Sequence, residues 1–148
     1  MVHVNTLKQN NIMKNLLLII ALSASFTGMA QTVSFNQVDQ ATAKPKGNFK
    51  TYISKDSTTY SIGDKLTVGQ PSGQNGRFVY IQEITAFGDI MIVKAKAANT
   101  KTEIKKIKIA GSKRAGFKVT IQSKGMTGIT NYFFNIEDAI ESGEIISN

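Results

Sequence analysis

The sequence predicts a mainly β domain, either a small antiparallel β-barrel or a sandwich, with about seven strands and a short C-terminal α-helix. Apolar and polar residues alternate with a period of two over much of residues 49–134, as in half-buried strands. Glycine-containing turn sequences interrupt the alternation at roughly 8–12-residue spacing, which is typical of antiparallel folds. Helical spacing of apolar residues occurs only after residue 135.

Residues 1–30 are predicted to be a secretory signal peptide. Lys14 precedes the apolar stretch 16–24, and small residues occupy the two specificity positions before a cut at Gln31. The apolar stretch is shorter than the about 20 residues that span a bilayer. We expect translation to begin at Met13, since the residues upstream of it are mostly polar. The alternative is a buried or anchoring N-terminal helix.

Export follows from this prediction. We expect the protein in the periplasm or outside the cell, without a transmembrane segment after cleavage. No cysteine follows the apolar stretch, so a lipid anchor at that junction is chemically excluded. The chain carries 18 Lys and Arg against 10 Asp and Glu; Lys8 and Lys14 precede residue 31, which leaves 16 basic and 10 acidic residues and a net charge of +6.

The first half of the exported chain is predicted to form an arm followed by short strands. Residues 31–48 show little periodicity and predict a mobile or loosely docked arm, so that a single β-rich domain spans 49–148. Alternation begins at residues 49–53. Further strand patterns at 60–62 and 66–68 flank a Gly-Asp turn, and a loop rich in Gly, Pro, Ser and Asn follows.

The second half holds the longer strand patterns. Residues 77–86 are apolar on both alternating sets, which predicts a central strand covered on both faces. Ile104 is out of phase with Ile107 and Ile109, which predicts a β-bulge near Lys105. The remaining strand patterns lie at residues 91–97, 104–109, 117–122 and 129–134.

A helix is predicted after residue 135. Asn135 is a favourable N-cap, and Ile136, Ala139 and Ile140 share one helical face at spacings of three and four. Gly143 is placed to end the helix. Because so short a helix is unstable alone, we expect it to cover one end of the sheet.

Composition excludes several chemistries. The chain has no Cys and no Trp, and its single His is His3, ahead of the predicted cut. Thiol catalysis, Ser-His-Asp catalysis and transition-metal sites therefore lack their residues, and we expect a non-enzymatic protein without metal or cofactor. The alternatives left open are a Ser-Lys dyad and a carboxylate pair drawn from Asp56, Asp64, Glu83 and Asp89.

Basic residues concentrate between positions 94 and 124, where ten Lys or Arg accompany one acid, Glu103. If the three strands of this region are sequential neighbours, their lysines share one solvent face that attracts anions. The alternative is an ordinary solvated surface. Expected partners are an anionic glycan, an anionic lipid surface or an acidic protein, and not nucleic acid. The candidate anion-binding face consists of Lys94, Lys96, Lys106, Lys108 and Lys118.

A second hypothesis is a small β-barrel that binds an apolar small molecule inside. It rests on the aromatic residues Phe78, Tyr80, Phe117, Phe133 and Phe134. The same residues are equally consistent with a packed core, because about 118 residues in seven strands leave little interior space.

The segments 60–69 and 135–145, together with the signal peptide, resemble those of small exported all-β proteins of unknown function from Gram-negative bacteria. The strand count is similar to that of SH3-like and OB-like barrels. The resemblance implies a fold and a compartment, but no activity and no site residues.

Overall fold

The computed structural model describes residues 30–146, so that the predicted signal peptide, apart from Ala30, lies outside the described residues. Ten strands form two sheets, and two short α-helices accompany them. The elements are β1 (Gln31–Ser34), α1 (Phe35–Asp39), β2 (Phe49–Ile53), β3 (Thr59–Ser61), β4 (Lys65–Val68), β5 (Arg77–Ile84), β6 (Ile90–Lys94), β7 (Lys101–Ser112), β8 (Gly116–Lys124), β9 (Asn131–Asn135), α2 (Ile136–Glu141) and β10 (Ile145–Ile146).

The larger sheet confirms the mainly β prediction. Its seven strands run in the order β10-β4-β7-β8-β9-β5-β6, and every pairing in it is antiparallel. The sheet is curled into a half-barrel. The described strands outnumber the predicted seven because the short strands β1 and β10 carry too few residues to show a periodic pattern.

The smaller sheet corrects the prediction of a loosely docked arm over residues 31–48. In it, β1 pairs in parallel with β2, which pairs antiparallel with β3. The helix α1 follows at once, capped by a reciprocal pair of hydrogen bonds between Ser34 and Gln37. Val33 and Val38 are each only 3% exposed. The arm is therefore docked by apolar burial over residues 31–39.

The core lies on the concave side of the larger sheet and is filled by side chains. Ile121 and Phe134 are fully buried, and Ile81 is 2% exposed. Gln82, which follows Ile81 and points to the other face of β5, is exposed, and Val79 is 53% exposed. The prediction that β5 is covered on both faces is therefore wrong, because β5 lies next to the edge strand β6 and one of its faces meets solvent.

Two local predictions are confirmed. The register of β7 against β8 shifts between Ile104 and Lys106, at the position of the predicted bulge. In α2, Ile136 and Ala139 are fully buried, as their spacing requires. The helix ends before Gly143, whose φ of 76° lies in the left-handed region that glycine adopts without strain.

Candidate functional site

The β7–β8 hairpin carries most of the predicted basic residues. Alternation places Ile107 and Ile109 in the core and turns the intervening lysines outward. In the register of the pair, Lys106 lies opposite Gln122 and Lys108 opposite Thr120. Both lysines are exposed. The long hairpin therefore presents one apolar and one basic surface, as the sequence predicted for these two residues.

Two lysines of β8 belong to the same outward surface. Lys118 lies opposite Ala110 in the register, and Lys124 follows at an even spacing along the strand. Both are exposed. We call the surface formed by Lys106, Lys108, Lys118 and Lys124 the basic face.

Lys118 differs from the other members of the basic face because its charge is paired. Its Nζ donates to Oδ2 of Asp138 on α2 at 2.7 Å. Asp138 also accepts a hydrogen bond from the Asn135 side chain. Lys106, Lys108 and Lys124 form no salt bridge within residues 30–146. Three unpaired lysines therefore carry the net charge of the face.

The structure separates the remaining two predicted lysines from this surface. Lys94 ends β6, the outermost strand of the larger sheet, and Lys96 lies in a short 3₁₀ turn after it. Three strands intervene between β6 and β7. The assumption that the three basic strands are sequential neighbours is therefore wrong, because β5 pairs with β9 and thereby carries the β5–β6 hairpin away from β7.

A groove of about 730 Å³ opens on the other side of β8, between the start of that strand and the two helices. Its apolar lining comprises Phe35 and Val38 of α1, Tyr52 of β2, Phe117 and Val119 of β8, and Ile140 of α2. Ligand sites of drug-sized molecules commonly measure about 300–1,000 Å³. The groove therefore has the size and the apolar lining of a small-molecule site.

Carboxylates surround this apolar lining. Five acidic side chains line the groove against two basic ones, Lys55 and Lys118, which gives the groove a net charge of −3. The acidic residues are Asp39, Asp56, Glu137, Asp138 and Glu141. We call this cavity the acidic groove. It is a negative region in a domain that carries +6 from residue 31 onward.

Glu137 is fixed at the base of the groove. One of its carboxylate oxygens accepts the hydroxyl hydrogen of Tyr52, and both oxygens lie within hydrogen-bonding distance of the Lys55 amide, at 3.2 and 3.4 Å. Burial of Tyr52, and then its hydrogen bond to the Glu137 carboxylate, raise the pKa of the phenol well above its usual range. This contact holds β2 against α2.

The acidic groove contains acids that the sequence analysis did not select. Asp39 was missed because it belongs to the segment interpreted as an arm. The S-x-x-Q pattern of Ser34 and Gln37, a capping-box signature, predicts a helix there. Asp56 was considered only as half of a catalytic pair. The groove itself joins segments far apart in sequence, so no local pattern indicates it.

Another residue missed by the sequence analysis is Glu144. It is fully buried and accepts hydrogen bonds from the Ser72 amide at 3.2 Å, the Ser72 hydroxyl at 2.5 Å, and the Val79 and Tyr80 amides at 2.7 and 2.8 Å. Since four protein donors occupy its oxygens, Glu144 fastens the loop before β5 and is not a ligand group.

The remaining candidate carboxylates lie in turns and hairpins. Asp64 accepts the Ser61 amide at 2.7 Å, and Asp89 accepts the Thr85 hydroxyl at 3.3 Å. Glu83 accepts the hydroxyl of Thr130. Within residues 30–146, no three His, Cys, Asp or Glu side chains lie close enough together to hold a metal ion.

Comparison with known proteins adds no family. No family model, no curated protein and no solved structure matches the chain. In the part of the chain that the structure describes, no helix has the length and apolar character needed to cross a membrane. The geometry of the basic face and of the acidic groove is therefore what supports a function.

Proposed function

We propose that this protein is an exported, non-enzymatic binding module of the cell envelope that attaches through its basic face to an anionic lipid surface or an anionic glycan. The observation that carries the proposal is the clustering of Lys106, Lys108 and Lys124 on one solvent-exposed side of the β7–β8 hairpin, without a salt-bridge partner among the described residues. The signal-peptide pattern of residues 1–30 supports its export.

Electrostatics explains why this surface suits a large anionic partner. Lysine ammonium groups on a two-stranded surface form an open positive field without a cleft, and such a field attracts extended anionic surfaces. Near an anionic membrane each lysine contributes about 1 kcal/mol, and the attraction falls off within a Debye length of about 10 Å at 0.1 M salt. Binding is therefore expected to weaken as the salt concentration rises.

A matched pair of double variants tests the face. We expect Lys106→Gln with Lys108→Gln to weaken sedimentation with phosphatidylglycerol-containing vesicles by about fivefold per lysine. Lys94→Gln with Lys96→Gln removes the same charge from the edge of the sheet and serves as the control. An acidic polysaccharide column run with both variants distinguishes a glycan from a lipid partner.

Equal weakening by the two double variants would show that only net charge matters and would refute the basic face. Full binding by the Lys106 and Lys108 variant would refute it as well. A protein that binds neither vesicles nor the polysaccharide at low salt would overturn the proposed function itself.

The alternative proposal, an apolar ligand inside the barrel, has less support. Ile81, Ile121 and Phe134 fill the concave side of the sheet. Of the five aromatic residues on which that alternative rests, only Phe117 lines the cavity between β8 and the helices.

A further inference from the structure

We infer that the acidic groove is a second binding site, which takes an organic cation with an apolar body, such as an alkylammonium or arylalkylammonium compound. The inference is independent of the proposed function, because it rests on a negatively charged cavity that Lys106, Lys108 and Lys124 do not line. Its basis is the combination of an apolar lining, a net charge of −3 and a volume of about 730 Å³.

The apolar part of such a ligand has a defined place. The half-buried rings of Phe35 and Phe117 line the groove and pack against a core that includes the buried Val38 and Val119. Displacement of water from the exposed parts of the two rings favours a hydrocarbon or aromatic body by about 25 cal/mol for each Å² buried. The aromatic rings also favour a cation placed over their faces.

The expected charge of the ligand follows from which carboxylates of the groove already have partners in the protein. Glu137 and Asp138 already accept hydrogen bonds from the protein. Asp39 and Glu141 are exposed and form no salt bridge or side-chain hydrogen bond within the described residues. These two carboxylates are therefore available to a cation, and an anion of the same shape would be repelled.

A series of ligands with one apolar body separates charge from hydrophobicity. Octylamine, octanol and octanoate carry charges of +1, 0 and −1 at neutral pH. We expect octylamine to bind the purified protein most tightly in calorimetry, octanol more weakly, and octanoate not measurably. In heteronuclear NMR spectra, octylamine is expected to shift the side-chain resonances of Phe35, Phe117 and Val119.

Variants at the groove rim test the role of charge. Asp39→Asn and Glu141→Gln are each expected to weaken octylamine binding by roughly two- to fivefold, as for exposed ion pairs, and to leave octanol binding unchanged. Glu103→Gln removes another exposed carboxylate, which is paired with Lys105 on β7 outside the groove, and serves as the control. Because these residues are exposed, the variants are expected to fold like the parent protein.

Several results would overturn the inference. Octanoate binding as tightly as octylamine would exclude charge selection, and resonance shifts confined to other parts of the molecule would exclude this cavity. If Glu103→Gln weakened octylamine binding as much as Glu141→Gln does, the effect would depend on the net charge of the protein and not on the carboxylates at the rim of the groove. The absence of octylamine binding would refute the site while leaving the vesicle experiment, and hence the basic face, unaffected.

Discussion

The basic face and the acidic groove adjoin the same strand, β8, yet they hold their charges differently. On the basic face, Lys106 and Lys108 extend into solvent from a strand whose opposite side is core. In the groove, Glu137 is a hydrogen-bond acceptor that joins β2 to α2. The exposed lysines of the basic face therefore contribute little to the stability of the sheet. The Glu137 carboxylate, in contrast, stabilises the contact between β2 and α2.

The positive net charge of the domain does not show that it contains two regions of opposite charge. A domain with +6 contains a cavity with −3, and the two regions meet at the ion pair of Lys118 with Asp138. Lys106, Lys108 and Lys124 do not line the groove, so the two proposed partners would not compete for these three side chains. Substitutions that separate stability from binding test this distinction.

The largest expected effect is a loss of protein stability when a groove carboxylate, Glu137, is replaced. Glu137→Ala leaves the buried Tyr52 hydroxyl and the Lys55 amide without their acceptor, which costs about 1–3 kcal/mol of unfolding free energy. Lys108→Ala on the basic face and Glu141→Ala on the same helix are the controls, each expected to stay within about 0.5 kcal/mol. Urea denaturation measures all three. A Glu137→Ala protein as stable as the controls would show that the Glu137 carboxylate contributes no more to stability than the lysines of the basic face do.

A second effect concerns alkaline pH. The pKa of Tyr52 is raised above its ordinary value of 10.0 in the folded protein. A raised folded-state pKa means that the stabilisation is complete below the unfolded-state pKa and is lost as the pH rises above about 10. We expect the unfolding free energy to fall less steeply above that pH in Tyr52→Phe than in the parent protein. Parallel pH profiles would contradict the raised pKa of Tyr52, which results first from burial and then from the hydrogen bond to Glu137.

The smallest effect is expected where the two regions meet. Since Asp138 neutralises Lys118, Lys118→Gln should change vesicle binding less than Lys106→Gln does. Asp138→Asn should strengthen vesicle binding by up to about fivefold, because it releases one more cation to the face. Vesicle titrations at low salt compare the three variants. A loss of binding in Lys118→Gln as large as in Lys106→Gln would show that the pairing has no effect.

Sequence patterns predicted the features that depend on neighbouring residues. The bulge near Lys105 interrupts a period of two within a few residues, and α2 shows its apolar face in one turn and a half. The outward direction of Lys106 and Lys108 follows from the same alternation. Each of these predictions needs no knowledge of which strand lies beside which.

Features that depend on strand order could not be predicted in this way. The position of β6 at the far edge of the sheet follows from the pairing of β5 with β9, which join residues about fifty positions apart. The acidic groove combines Asp39, Tyr52, Phe117 and Glu141 from four separate segments. Alternation specifies which face a residue occupies, but not the neighbouring element that completes a cavity.

The buried contacts of Glu144 have a kinetic consequence. Its hydrogen bonds join residues 64 to 72 positions apart, so the chain must close a long loop before they form. Interactions that form only after the folding transition state chiefly slow unfolding. We expect the Glu144 contacts to be of this kind, so that Glu144→Gln unfolds faster and is cleaved sooner by a protease while its folding rate changes little.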